Sequence, residues 1–558
     1  MFFNVISRWL EQALKSEDLT KEPKIEYPKD LKFGDFTSNL CLIEAKIKGL
    51  PAMDLAEKFA EILNQNLIEE VSKVTAISPG FLNFTLSDKA IGNLVLGIIN
   101  QEPGGLNMDF VRGKKIIVEY TDPNPFKEFH IGHLMTNTIG ESISSILEIA
   151  GADVKRVCYQ GDVGMHVAKA IYGALSQKKE TGEVDWATAY ATGSNFFDTD
   201  ETAKTEIIKL NKKIYSKEDK EINVLYGEGK KWSLDKFEEI YKQLGTKFDH
   251  YFFESEVADL GVKTVKDNIG KIFEESDGAV IFPGEKYDLH SRVFLNSEGL
   301  PTYEAKELGL SIIKAKTFPA DLYIVVTANE INEYFKVLKK TISLIEPELE
   351  EKILHLGHGM LRLPTGKMSS RTGMVITAES LILAISRLVK DKIKVENFDK
   401  NDLGIISEKV AVGALKYSIL KQSVGGDIVF DFEKSISFEG DSGPYLMYSY
   451  ARAKSVLRKK EVGVLDLKSE LFNEEERKLA SLLGHLPKTI EKTVTGYSSH
   501  FMIQYLLELT SCFNRFYANN KIIDSGENET NRLILTKAFS KILQIGLKSL
   551  GVPIRERM

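Results

Sequence analysis

His130 and His133 flank Gly132 in the phrase KKIIVEYTDPNPFKEFHIGHLM, residues 114–135, and are the residues best placed for chemistry in this chain. Ahead of them Ile116-Ile117-Val118 is an apolar run of strand type, and Pro123, Asn124 and Pro125 then break any regular element. From Leu134 to Ala150 apolar residues (Leu134, Ile139, Ile143, Ile146, Leu147, Ile149) recur at helical spacing. A strand, a turn and a helix N-terminus make a phosphate site, because free backbone N–H groups and the positive end of the helix dipole point at the anion. Gly132 lets the backbone come close, and the two imidazoles can donate hydrogen bonds to phosphate oxygens. The same spacing also fits a metal-ligand pair, or two surface residues on a helix turn.

Far down the chain, Lys367-Met368-Ser369-Ser370-Arg371 follows Pro364-Thr365-Gly366 and precedes Thr372-Gly373. A glycine-flanked basic loop with small hydroxyl residues between its cations supplies charge to a polyphosphate without bulk. A solvated charged loop would look similar. Taken together, in this order and at this separation, the two stretches resemble the HIGH and KMSKS signatures of the class I aminoacyl-tRNA synthetases.

Several elements must position these stretches. The length of 558 residues suits about three to four domains, each able to bury a core. With 43% hydrophobic and 27% charged residues the composition is that of a soluble globular protein, and no apolar run reaches the roughly 18 residues of a membrane span. The opening MFFNVISRWLEQALK meets Glu11 and Gln12 at once and reads as an amphipathic helix rather than a signal peptide. Cys41, Cys158 and Cys512 are too scattered for a zinc cluster and odd in number for a disulfide framework, as in a reducing cytoplasm. A net charge of -7 argues against a uniformly basic nucleic-acid coat. Residues 451–558, however, carry 18 Lys and Arg against 12 Asp and Glu, compatible with RNA docking through one region or with a solvated helical surface.

Residues 1–108 read as a first unit, with helical patterns over 5–14 and 55–67 and alternating residues over 81–86. Residues 34–40 read as a turn entering a helix, with Thr37 or Ser38 as N-cap, and 101–105 as a linker. Residues 109–395 alternate strand and helix as a parallel sheet with crossovers does. There 154–159 is the second strand, and Gly161-Asp162-Val163-Gly164 turns where ligands of such sheets sit. The sheet pattern returns at 279–282 and 322–326. Between them, residues of about 175–275 read as a helical insertion with Trp186, Trp232 and Phe248 in its core. A helix from Thr302 sets Tyr303 and Glu307 on one face, lining a pocket or making a surface contact. Residues 396–558 are almost wholly helical in pattern, with Pro444 opening a helix whose Tyr445, Tyr448 and Arg452 share a face. Such a face can stack on RNA or pack a bundle.

Glu119-Tyr120-Thr121-Asp122-Pro123-Asn124, followed by Lys127 and His130 to His133, resembles the PNxxKxxHxGH form of the signature in arginyl-tRNA synthetases. The resemblance continues through residues 161–164, Thr302-Tyr303, Phe430-Asp431-Phe432, Glu439-Gly440, Gly443-Pro444-Tyr445, Gly546-Leu547, Leu550-Gly551 and Met558, so it covers nearly the whole chain. It implies a multidomain protein: a Rossmann-like, doubly wound α/β catalytic domain with a helical insertion, an α+β N-terminal tRNA-binding domain and an all-α anticodon-binding domain. The implied enzyme is a ligase that activates L-arginine with ATP and Mg²⁺ to arginyl-adenylate and passes the arginyl group to the terminal adenosine of tRNA(Arg). It works in the cytoplasm, off the membrane, as a monomer without a structural metal.

On this resemblance Glu119, Tyr120, Asn124, His133, Tyr303 and Glu307 bind arginine, because a guanidinium that never loses its charge needs carboxylates. His130, Gly132, His133, Gly161, Lys367 and Ser369 bind ATP, with Lys127, His130, His133 and Lys367 serving catalysis. Asn39, Tyr445, Tyr448, Arg452 and Tyr517 contact tRNA. Three departures bear on the fine geometry: Ser370-Arg371 replaces the last Lys-Ser of KMSKS, Glu307 stands where aspartate is usual, and Ile331 stands where a pocket glutamine is common. Rival readings are another class I synthetase, which would lack the acidic pocket, a nucleotidylyltransferase, which has no need of the C-terminal helices, and a non-catalytic RNA-binding relative, which has no need of His130, His133 and Lys367.

Overall fold

The computed structural model of the protein describes residues 2–100, 108–362, 377–392, 400–463 and 466–558. In the first unit, strands β1 (Ile25–Glu26), β2 (Phe36–Ser38), β3 (Val71–Ile77) and β4 (Phe81–Leu86) pair antiparallel in the order β1-β2-β4-β3. The opening helix, Phe2–Ala13, buries Ile6, Trp9 and Leu10, as its amphipathic spacing predicts. Within residues 34–40, expected as a turn entering a helix, Phe36–Ser38 form the strand β2, and the helix follows from Leu40. Pairing with β4 decides this, and Thr37 Oγ1 and Asn83 Oδ1 meet across it at 2.6 Å. The helix Leu40–Lys48 starts with Asn39 at its N-cap position, and it is Ser38 Oγ that accepts the Leu40 N–H, at 3.3 Å.

The second unit is built on β5 (Lys115–Glu119), β6 (Asp153–Gln160), β7 (His250–Phe253), β11 (Leu322–Ala328) and β12 (Ile353–His358). These pair parallel throughout, in the order β12-β11-β5-β6-β7. The order reverses between β5 and β11, and the carboxyl ends of those strands form the crevice where a doubly wound sheet takes its ligand. Alternate residues of each strand feed different cores. Val118, Tyr120, Cys158 and Ile324 pack with Leu134 and Ile143 of the helix Ile131–Ile149 and with Tyr241 of the helix Lys220–Leu244. Ile117, Val157, Tyr159 and Val325 pack on the other face with Leu308 of the helix Tyr303–Thr317 and Phe335 of the helix Asn332–Ile345.

Two sequence expectations fail here. Residues 279–282 form β9 (Ala279–Phe282), which pairs antiparallel with β8 (Glu274–Ser276) and β10 (Arg292–Leu295) in a separate small sheet. The segment 175–275 is helical through Lys220–Leu244, but it also contains β7, an edge strand of the parallel sheet. Four residues in a lysine-rich stretch are too few to show a strand period. Trp186 packs edge-on against Phe126 at 5.9 Å, Trp232 is half-buried, and Phe248 is buried against Tyr120 at 4.9 Å.

Beyond residue 400 the described chain is mainly helical, through Lys400–Leu420, Gly443–Lys459, Glu474–Leu483, Leu486–Thr495, His500–Asn519 and Glu529–Ser549. Pro444 lies in the first turn of its helix, and Ser442 Oγ caps that turn by accepting the Tyr445 N–H at 3.1 Å. This bundle docks directly on the helix Ile131–Ile149. Ser142 Oγ lies 2.6 Å from Ser499 Oγ and donates to Ser549 O at 2.9 Å.

Tyr120 does not belong to the arginine pocket that the sequence suggested. Its side chain lies on the opposite face of β5 from Glu119, fully buried, with its hydroxyl donating to Glu141 Oε2 at 2.7 Å. It is held under the helix Ile131–Ile149: a Cβ built on Gly140 would meet Tyr120 Cγ at 2.2 Å. Alanine is the better helix former by about 1 kcal/mol, but forcing a methyl into a filled core costs about 1–3 kcal/mol. Gly140→Ala is therefore expected to lower the thermal unfolding midpoint. A raised midpoint would mean that Tyr120 does not sit there.

Candidate active site

The helix Ile131–Ile149 is capped by imidazoles, where a hydroxyl or carboxylate is usual. His130 Nδ1 accepts the Gly132 N–H at 3.1 Å, and His133 Nδ1 accepts the His130 N–H at 3.2 Å. The two rings stack with centroids 3.6 Å apart. A nitrogen that accepts carries no proton, so these hydrogen bonds assign the proton of each neutral ring to Nε2. Burial lowers the pKa of both rings. The neighbouring Lys127 lowers both further, and His130 adds to the effect on His133. Both remain neutral donors at physiological pH. A Cβ on Gly132 would meet His130 Cε1 at 2.9 Å and Nδ1 at 3.0 Å, so glycine keeps the His130 ring folded over the helix start.

The loop between β5 and this helix is strained. Thr121, Asp122 and Phe126 have φ of 82°, 47° and 69°, each conformation costing about 1–3 kcal/mol in a non-glycine residue. The surroundings hold it. Asp122 Oδ1 accepts the Tyr159 N–H at 2.7 Å, Asn137 Nδ2 donates to Thr121 Oγ1 at 3.0 Å, and the Phe126 N–H donates to Ser233 Oγ at 2.8 Å. Ser233 lies on the helix Lys220–Leu244, and the Phe126 ring packs in the insertion core with Trp186 and Tyr226. Asn124 reaches inward, its Oδ1 2.2 Å from where a Gly161 Cβ would be, with Glu254 Cδ at 3.3 Å from the same point. Gly161 therefore makes room for Asn124 and Glu254 rather than presenting a group of its own. Its carbonyl lies 2.8 Å from His166 Nε2, and burial pushes that imidazole down to about 4. Asp162 is buried and accepts from Tyr226, Lys230 and Ser255, tying the turn to the insertion.

On the face of β5 opposite Tyr120 lies an acidic cluster of Glu119, Asp122, Glu254 and Glu307. Lys314 forms a buried ion pair with Glu119, and Lys306 forms another with Glu254. Glu119 is thus partly engaged, where the sequence suggested a carboxylate open to ligand. Glu307 makes no hydrogen bond or ion pair among the described residues. Burial, and then the Glu119 charge, push its carboxyl up to about 8. The same two causes, in the same order, raise Asp122 well above the usual carboxylate range. Four carboxyl groups thus face two lysines in this pocket. Tyr303 stands at its rim, 64% exposed, with its ring 4.7 Å from Lys306 Nζ and its carbonyl accepting from Tyr334 Oη at 3.3 Å. Ile331 is exposed in the turn after β11.

The structure therefore brings His130, His133, Lys127, Asn124, Gly161, Glu119, Glu307 and Tyr303 to one end of the sheet and leaves Tyr120 in the core. Lys367 and Ser369 lie outside the described residues. In the C-terminal bundle the Arg452 guanidinium sits 4.9 Å from the Tyr448 ring and 5.0 Å from the Tyr517 ring, and it donates to Asn514 Oδ1 at 2.6 Å. Tyr448 and Tyr517 are 37% and 40% exposed, whereas Tyr445 is half-buried in the bundle. Asn39 is half-buried in the first unit. Sequence reasoning missed Asp122, Glu254, Lys306, Lys314 and His166. For Lys314 a signal existed, since it lies seven residues after Glu307 on the same helix and so on nearly the same face.

Comparison with known proteins gives the family. The model of the class I (R) tRNA synthetase catalytic domain matches residues 99–432, that of the DALR anticodon binding domain 446–558, and that of the arginyl tRNA synthetase N-terminal domain 4–86. An arginine–tRNA ligase of Treponema denticola is 31% identical over 97% of this chain and 95% of its own length. One of Fusobacterium nucleatum is 30% identical over 100% and 98%. The solved arginyl-tRNA synthetase of Thermus thermophilus superposes with a TM-score of 0.81 over 100% of both chains at 23% identity, a likeness of fold. The catalytic-domain match over more than half of the sequence, with relatives that align nearly end to end, shows that this chain belongs to the arginyl-tRNA synthetase family.

Proposed function

We propose a division of labour for the reaction of this ligase, in which L-arginine and ATP give arginyl-adenylate and pyrophosphate, and the arginyl group then passes to the terminal adenosine of tRNA(Arg). The observation that carries it is the pairing, at the end of one strand, of two fixed Nε2–H donors on a helix N-terminus with a pocket in which four carboxyl groups face two lysines. His130 and His133 donate to ATP phosphate oxygens, and Lys127 adds charge. Lys367 and Ser369 contribute from the second signature, a role supported by motif resemblance. Neutral imidazoles and an ammonium suit phosphate oxygens better than they suit a metal ion. Mg²⁺ would therefore arrive on the ATP oxygens and neutralise charge on the departing pyrophosphate.

Glu307 takes the arginine guanidinium. Glu119, tied to Lys314, adds its field, and Asn124 and Tyr303 orient the rest of the amino acid. No protein nucleophile is needed: the arginine carboxylate attacks the α-phosphorus, and the enzyme contributes position and charge stabilisation. The stack of Tyr448, Arg452 and Tyr517 offers exposed aromatic faces and a cation to tRNA. Three free cysteines support a reducing compartment such as the cytoplasm.

Two experiments test these roles. His130→Ala should lower arginine-dependent ATP–pyrophosphate exchange by about a hundredfold or more while tRNA affinity holds within about twofold. An undiminished rate would remove His130 from the phosphate site. The second is the pH dependence of arginine binding. Below about 8 the Glu307 carboxyl is protonated, and a neutral acid holds a guanidinium poorly. The KM for arginine should therefore rise on the order of tenfold from pH 8.5 to 6.5, with little change in KM for ATP because the imidazoles stay neutral throughout. Glu307→Gln should give a high KM that does not vary over this range. A wild-type KM for arginine that ignores pH would place the guanidinium elsewhere.

A further inference from the structure

Tyr159 lies one residue before the end of β6, on the same face as Glu119: its strand neighbour Val157 pairs with Glu119, and Tyr159 itself pairs with Phe252 of β7. Its backbone is fixed by the 2.7 Å bond from its N–H to Asp122 Oδ1. The side chain is more than nine-tenths buried, and its hydroxyl has no hydrogen-bond partner among the described residues. After burial, the groups that act on this phenol are Glu254, Glu307, Tyr334 and Glu119, so it faces the acidic pocket. Buried hydroxyls are nearly always bonded, because an unmade bond carries the whole desolvation penalty. Lys306 and Lys314 already neutralise Glu254 and Glu119. The unmet groups are the Glu307 carboxyl and the Tyr159 hydroxyl.

We propose that Tyr159 is a specificity-determining residue for the amino acid, its hydroxyl oxygen accepting one guanidinium N–H while Glu307 takes the charge. This rests on the arginine-binding role of the pocket. A guanidinium carries several N–H donors in a rigid plane and can satisfy a carboxylate and a neutral acceptor at once, which a single point charge does less well. The hydroxyl thus measures the shape of the cation and Glu307 its charge.

The test is Tyr159→Phe, which removes one oxygen and keeps the ring. KM for arginine and for ATP are measured in aminoacylation, and thermal unfolding is followed with and without L-arginine. The KM for arginine should rise about tenfold with KM for ATP unmoved, because a site built to bond a polar group loses that bond on truncation. The arginine-induced rise in melting midpoint should shrink, while the midpoint of the ligand-free protein stays level or rises, because an unpaired polar atom has been removed. Unchanged arginine parameters would overturn the inference. So would a lower ligand-free midpoint with both KM values raised, since that pattern marks a structural hydroxyl. If the wild-type chain itself fails to charge tRNA with arginine, the arginine reading of the pocket falls and takes this inference with it.

Discussion

Both halves of the active site hang from the alternation of one five-residue strand, β5. Ile117 and Glu119 point to the face covered by the helix Tyr303–Thr317, and Val118 and Tyr120 to the face covered by the helix Ile131–Ile149. A slip of one residue would exchange them, burying a carboxylate under the catalytic helix and placing a phenol in the acidic pocket. Pairing with β6 and β11 on either side fixes the register. The strained loop beyond Glu119 then delivers Asn124, Lys127 and the two histidines within a few residues. The insertion supports that loop through Phe126 and Ser233, so a helical segment remote in sequence still determines where Asn124, Lys127 and the two histidines are held.

Electrostatics separate the two halves. On the phosphate side the donors are neutral imidazoles, kept so by burial and by Lys127, together with a helix N-terminus. In the proposed role they would stabilise anionic oxygens without requiring a buried permanent charge on the rings. On the arginine side, ionising a further carboxyl among charged neighbours is unfavourable in a low-dielectric pocket, and this holds Glu307 partly protonated near neutrality. The two lysine pairs reduce that strain without removing it. Breaking either pair by truncating the lysine would leave a buried charge alone, which is far more damaging than never having built the pair. An incoming guanidinium is the complement that the proposed role assigns to the pocket.

Much of this was legible in the sequence because local chemistry and fold agree there. The strand, break and helix around His130, the strand 154–159, the helix opened by Pro444 and the amphipathic first helix follow from period and punctuation alone. What failed depended on long-range pairing. Thr37 is in a strand because β4 lies beside it, and β9 joins its own sheet because its partners are near in sequence. Tyr120 looked like a pocket residue from its place in a motif, but strand alternation turns it away. The packing of the helix Tyr303–Thr317 on β5 and against Glu254 makes Lys314 and Lys306 counter-ions, and only for Lys314 does the helical spacing from Glu307 give a signal in the sequence. Lys367 and Ser369 lie outside the described residues, so the second signature rests on its sequence.

The catalytic helix also links the phosphate site to the C-terminal bundle. Its first turn holds His130 and His133, and one side of its middle, at Ser142, is bonded to Ser499 and to the Ser549 carbonyl. Nearby, the buried Lys416 ammonium donates to the carbonyls of Leu244 and Gly551, the first at the end of the insertion helix and the second just past the last helix of the bundle. Burial pushes this lysine down to about 8, against the opposing pull of the Glu141 charge. The bundle therefore cannot shift against the catalytic unit without breaking buried polar bonds or carrying the helix with it. Any force on the bundle acts on an element whose other end holds His130 and His133.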